Sequence, residues 1–155
     1  MSRYHRVNLD GQSHYKTETY VTNAALQPGT FVVLNASKKW VQATTAAVSS
    51  APLYVMGAAE HQGLGITEAV PSGVSGVGNL VEDGRTFAVR VGPGTYKEDQ
   101  PLVLVDGVAT AVPETAGTYA IVGYVQENND VVVPAATTDF VAIRIAKGYP
   151  TITVS

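Results

Sequence analysis

"LQPGTFVVLNASKKWVQATT", residues 26–45, decides the fold class. Pro28-Gly29 marks a turn, Phe31–Leu34 is an unbroken apolar run, residues 35–37 mark a second turn, and Trp40 opens a half-apolar strand. Residues 99–111, "DQPLVLVDGVATA", repeat that order. Elsewhere short β-branched stretches are broken by Gly, Pro, Asp-Gly or Asn-Asn about every ten residues, which favours strands over helices. The expected fold is all-β, a compact β-barrel or β-sandwich.

"TFAVRV" puts Phe87, Val89 and Val91 on one face, and "FVAIRI" does the same for Val141, Ile143 and Ile145, so both read as half-buried strands. Runs without alternation, Phe31–Leu34, 102–105 and Val131–Val133, suit interior strands or subunit contacts. Asp83-Gly84 and Asp106-Gly107 are type I′ hairpin signals, with Asp10-Gly11 as a third. Pro52, Pro71, Pro101, Pro113 and Pro134 fall at strand boundaries, where a missing N–H is harmless. Ala-rich pieces at 22–26 and 44–50 are the only helix candidates, both short and uncapped.

Three blocks recur in order. Residues 31–34 match 102–105 at an offset of 71 (102 − 31), and 55–57 match 121–123 at 66 (123 − 57). Residues 87–91 match 141–145 at 54 (144 − 90), with Arg90 and Arg144 on the same pleat face and Gly94 and Gly148 following. The pattern implies two similar β units, 26–96 and 97–150. The first copy is longer between its matched Gly and Arg, and the excess lies in "AVPSGVSGVGNLVEDG", residues 69–84, read as a Gly-rich excursion that is either a contact loop or a plain surface loop.

Length and composition bound the chemistry. A chain of 155 residues fits one domain with a real core. With 45% apolar and only 15% charged residues, much of its surface is expected to face protein. A net charge of −3 leaves no basic footprint for nucleic acid or anionic membrane. There is no cysteine, which excludes disulfides, thiolate metal sites and cysteine nucleophiles. No signal-like h-region or membrane-length apolar run occurs, so a soluble chain is expected, and the Asn35-Ala36-Ser37 sequon reads as a turn.

Motifs for catalysis are weak. "SGVSGVGN" lacks the Gly-Lys-Ser/Thr of a phosphate loop, reverses the dinucleotide glycine spacing, and puts Val77 where a nucleophile elbow needs Gly. His61 and Glu60, on an expected strand, point to opposite faces and cannot chelate one ion together, while His5 and His14 lie in a polar extended segment. Glu82-Asp83 and Glu98-Asp99 read as solvated turn ends. No catalytic residue, metal ligand or cofactor is expected. Trp40 reads as a core or interface anchor, and Tyr54, Tyr119 and Tyr124 as strand residues with the phenol at a rim.

Residues 1–22 differ from the β-domain, 23–155. "SRYHRVNLDGQSHYKTETY" is rich in Tyr, Arg and His and poor in aliphatics, so it cannot form a core alone. It reads as an arm that orders on a partner, against the plainer reading of a frayed tail. Arg3, Tyr4, His5, Arg6, Tyr15 and Tyr20, with Trp40, are the expected interface residues towards a partner or another subunit. "YPTITVS" has the alternation of an added strand, through Ile152 and Val154, free to pair with the arm, the body or a neighbouring subunit.

"LQPGTFVVLN", then "YVMGAAEHQGLGI" and a closing "RTFAVRV" resemble the capsid decoration, or cement, proteins of tailed bacteriophages, over residues 24–145. The resemblance implies a small β-rich protein without enzymatic activity or cofactor. It would bind the outer surface of a phage head at junctions between major capsid proteins, as a trimer or dimer, and stabilise the shell against internal DNA pressure. It would be made in the host cytoplasm and carried on the virion, with an extended terminal arm assigned here to the N-terminal segment as a whole. The competing expectation is another virion structural or adhesion module, such as a tail or fibre β-domain that binds glycan.

Overall fold

In a computed structural model, described over residues 3–10, 16–146 and 149–155, the chain is almost entirely β. The first ring is built from β1 (Thr17–Val21), β2 (Phe31–Leu34), β3 (Trp40–Gln42), β4 (Tyr54–Met56) and β5 (Ser75–Leu80), with one helical turn, α1 (Ala47–Ser50), between β3 and β4. Their order is β1-β5-β4-β2-β3, and a parallel bridge from Thr22 to Trp40 closes it. The Gln27–Thr30 turn that leads into β2 has the Thr30 N–H donating to Gln27 O at 3.2 Å, with Gly29 at φ 83, which is why Pro-Gly stands there.

The chain then crosses to β6 (Thr86–Val91), β7 (Gly94–Tyr96), β8 (Pro101–Val105), β9 (Val108–Ala111), β10 (Gly117–Val125), β11 (Val131–Val133), β12 (Asp139–Ile145) and β13 (Thr151–Val154). Here β12, β6, β9, β8 and β10 follow one another, and β10 pairs back onto β12, so a second ring closes. β7 and β11 form a separate ribbon, and β13 lies along the projecting end of β10.

The two rings run in the same order: β1, β2, β3, β4 and β5 occupy the places of β6, β8, β9, β10 and β12. Even the closure corresponds. Asn23 N–H donates to Trp40 O at 2.9 Å in the first ring, and Gly92 N–H donates to Ala109 O at 3.3 Å in the second, each residue displaced by 69 (92 − 23, 109 − 40). Carrying the strand registers around both rings places β2 on β8 at a shift of 70 and β5 on β12 at 65, without a gap.

Side-chain volume is redistributed between them. The first barrel is filled by Val32, Trp40, Tyr54 and Met56 with Tyr20 beside them; Gly78 of β5 makes room for the indole and Gly76 for the Met56 thioether. In the second, Ala109 stands for Trp40, and Val141 and Ile143 stand for the two glycines. Each barrel reaches close packing by a different division of bulk among the same positions.

The joint between barrels extends the second core. Phe31 and Val55 turn away from the first barrel and pack with Ala43, Val48, Leu53 and Val81 against it. The β8–β9 hairpin tip docks on β2: the Phe31 N–H donates to Gly107 O at 2.8 Å, and Gln42 Nε2 donates to Asp106 O. Arg90 crosses the joint, donating to Pro28 O at 3.1 Å and to Thr138 Oγ1 at 3.1 Å, with its guanidinium 4.6 Å from the Phe140 ring.

Several sequence expectations change. β6 and β12 are covered on both faces rather than half-buried: Ala88, Phe140 and Ala142 are buried along with the residues that alternate with them, Phe140 lying against Gly29. Asp106 and Gly107 both have positive φ, as a type I′ hairpin requires, whereas only Gly84 of Asp83-Gly84 does, and that turn crosses between barrels. Gly11 and Gly148 lie outside the described residues. The piece at 22–26 is not helical, and 44–50 gives only α1. The Gly-rich excursion is β5, an inner strand of the first barrel, and Glu60–Gln62 is a 3-10 turn, not a strand. The units expected at 26–96 and 97–150 do not coincide with the rings, which span 17–80 and 86–145.

Candidate interaction surface

The segment expected to be an arm is divided by the structure. Thr17–Val21 is β1, integral to the first barrel, and Tyr20 is packed edge-on against Trp40 at 5.6 Å. Trp40 itself is fully buried, its indole Nε1 donating to Gly76 O at 2.8 Å and its ring 4.9 Å from Tyr54. Of its two expected roles, Trp40 therefore fills the core one, and its indole is closed to a partner. Tyr15 and His14 lie outside the described residues.

Residues 3–10 lie against the second barrel, and residues 7–9 pair antiparallel with β6. Val7, 3% exposed, accepts the Ala88 N–H at 2.8 Å, Leu9 N–H donates to Thr86 O at 3.1 Å, and Asn8 bridges Phe87. Alternation explains the seat: Val7 turns into the body while Arg6 is exposed. Asp10 pairs with the buried Arg85 at 3.3 Å, and Lys16 pairs with Glu82, so both flanks of residues 11–15 are held at one turn.

A polar knot ties down the front of this segment. Arg3 donates to Phe140 O and lies 3.6 Å from Glu127. The Tyr4 hydroxyl donates to Glu127 Oε1 at 2.5 Å, and the same oxygen accepts the Ala142 N–H at 2.9 Å. Burial first, then the hydrogen bond and negative charge of Glu127, push the Tyr4 phenol up to about 12, against the opposing pull of Arg3. His5 and Arg6 remain exposed beside the knot.

Next to the segment lies a half-open cleft of about 440 Å³, lined by Arg6, Asn8, Thr17, Glu60, His61 and Asn79 among others. It runs between the added strand and the outer face of β1, β5 and the end of β4. Glu60 and His61 meet in it because a 3-10 turn, unlike a strand, lets neighbours face one space. The Asn79 amide is occupied, donating to Val55 O at 3.2 Å. Among the described residues no group of three or more His, Asp or Glu is placed to hold a metal ion, and no helix is long and apolar enough to cross a membrane. Sequence reading missed this cleft because its walls come from four separated segments.

No known protein family matches the sequence, and no curated protein is similar to it. The geometry alone therefore carries the functional reading.

Proposed function

We propose that this chain is a capsid decoration protein that binds the outer surface of a phage head, contacts the major capsid protein and stabilises the shell as a homo-oligomer on the virion. The observation that carries this reading is the construction of residues 3–10. They lie along the double barrel, paired with β6 at residues 7–9, with Arg6 and His5 presented to solvent beside a cleft. A body whose two cores share one packed joint suits a role that needs stiffness and surface, and a strand added at an edge suits recognition by backbone pairing. The alternative, a glycan-binding adhesion module, requires aromatic rings gathered on the outside, yet Trp40 and Tyr54 are turned into the first barrel.

The test mixes purified protein with expanded capsids that lack it. Stoichiometric binding is expected, and His5→Ala with Arg6→Ala should weaken it at least tenfold without changing thermal stability, since both side chains are exposed. Absence of binding refutes the proposal. Binding that ignores the double variant removes the segment from the contact.

A further inference from the structure

The two rings differ at one edge. In the second barrel the outer edge of β6 is filled: the Ala88 N–H donates to Val7 O, and residues 7–9 run antiparallel alongside. The equivalent position in the first barrel is Thr19 of β1, at the same shift of 69 (88 − 19) that relates the closing bonds. Thr22 N–H donates to Val74 O, so the even residues of β1 turn their backbone groups to β5, and those of Thr19 point the other way. Among the described residues no strand lies along that edge, where β1 touches β3 only through the Thr22–Trp40 bridge. Among the described residues, then, a strand is added at this place in the second barrel, and none lies at Thr19 in the first.

A matching open edge exists elsewhere on the molecule. β13 pairs with β10 alone, over four residues, and is exposed along most of its length. Because Ile121 N–H donates to Pro150 O, Ile152 and Val154 face β10, and Thr151 and Thr153 direct their backbone groups outward. Exposed edge strands are normally guarded by Lys, Pro or a bulge. "TITV" has none of these and no charge, and "TETYV" has only Glu18. Val21 and Ile152, each 38% exposed, place an uncovered apolar side chain on each strand.

We propose that β13 of one copy adds antiparallel to the open edge of β1 of the next, joining copies side by side through the outward backbone groups of Thr19 and of Thr151 or Thr153. The occupant is a second copy because the two unguarded edges are of similar length, uncharged or nearly so, and displaced from one another on one chain. The contact is heterologous, so it generates a ring where its rotation closes. It stands independently of what the assembled protein binds.

The test uses the full chain and two variants, Thr19→Pro and Thr153→Pro. Each removes one outward N–H while leaving the bonds to β5 or β10 in place. By light scattering across the micromolar range, the parent should exceed the 16.2 kDa of one chain, and each variant alone should remain a monomer with an unchanged circular dichroism spectrum. Mixed, the variants should form a dimer of twice that mass and stop there, since one keeps an intact β13 and the other an intact β1. A monomeric parent, variants that assemble like the parent, or a mixture that stays monomeric would each overturn the proposal.

Discussion

Gly78→Ala tests the volume exchange between the barrels directly. A Cβ at Gly78 would lie 2.5 Å from Cζ2 and Cη2 of Trp40 and 3.2 Å from Cβ of Tyr54. The indole is held in place, because its Nε1 is bonded to Gly76 O and it makes edge-type ring contacts with Tyr20 and Tyr54. Overpacking of this kind costs about 1–3 kcal/mol. Trp40→Ala removes a fully buried ring. At about 200 Å² and about 25 cal/mol per Å² the loss is about 5 kcal/mol, at the top of the usual range for such truncations. In the Trp40→Ala background only the 3.2 Å approach to Tyr54 Cβ remains, so Gly78→Ala should cost far less there. The coupling between the sites should accordingly be about 1–3 kcal/mol. Urea unfolding followed by far-UV circular dichroism measures it, since Trp40 is the sole tryptophan and fluorescence is lost with it. An equal cost for Gly78→Ala in both backgrounds would refute the reasoning.

Three further outcomes are expected. Gly107→Ala should lower Tm well beyond Gly84→Ala: both have positive φ, but a Cβ at 107 meets Gln42 and Thr30 while one at 84 meets open space. Left-handed strain alone is about 1–2 kcal/mol, so calorimetry should separate the two variants. Arg90→Ala should destabilise by about 2 kcal/mol, because Pro28 O and Ile66 O lose a charged donor at the joint, and Arg90→Lys should restore little, a single ammonium being unable to span the forked contacts. Tyr4 has a folded pKa raised above its ordinary value, so its contribution is complete below about pH 10 and fades as pH rises towards about 12. Hydrogen exchange at the Ala88 N–H should accelerate over that window, and a Tyr4→Phe variant should lack the pH step.

The strands and turns were legible because backbone chemistry dictates them locally: Pro28-Gly29 and Asp106-Gly107 carry the positive φ that their turns need. The duplication of order was legible in part. Residues 31–34 and 55–57 were matched to the right strands, though one and three residues out of register. "TFAVRV" and "FVAIRI" look alike for another reason: β6 and β12 are neighbours lining one core, with Phe87 opposite Ile143 and Val89 opposite Val141. Their true counterparts, β1 and β5, are disguised by the exchange of volume, since glycines stand where the second barrel has Val141 and Ile143. That exchange also made β5 look like a loop. The seat of residues 3–10 was hidden because Val7 and Leu9 alone carry its apolar pattern, and edge pairing leaves no signature in composition.

End-to-end docking of the first barrel of one copy on the second barrel of another is opposed by backbone chemistry and by charge. The joint is made by a hairpin tip on the second barrel that receives the Phe31 N–H of the first. Continuing the array end to end would require the same donor on the second barrel, but the equivalent position, at a shift of 70 (101 − 31), is Pro101, which has none. The tip that would have to dock there, residues 35–39 of the first barrel, is longer and exposes Lys38 and Lys39, while the receiving face presents Tyr124 and Arg144 across adjacent strands. Like charges oppose that approach. Axial growth is blocked by a missing donor and by repulsion, whereas the edges of β1 and β13 carry neither device. Pro101→Ala alone is expected to leave the mass of the chain in solution unchanged, because the lysine tip still faces Arg144.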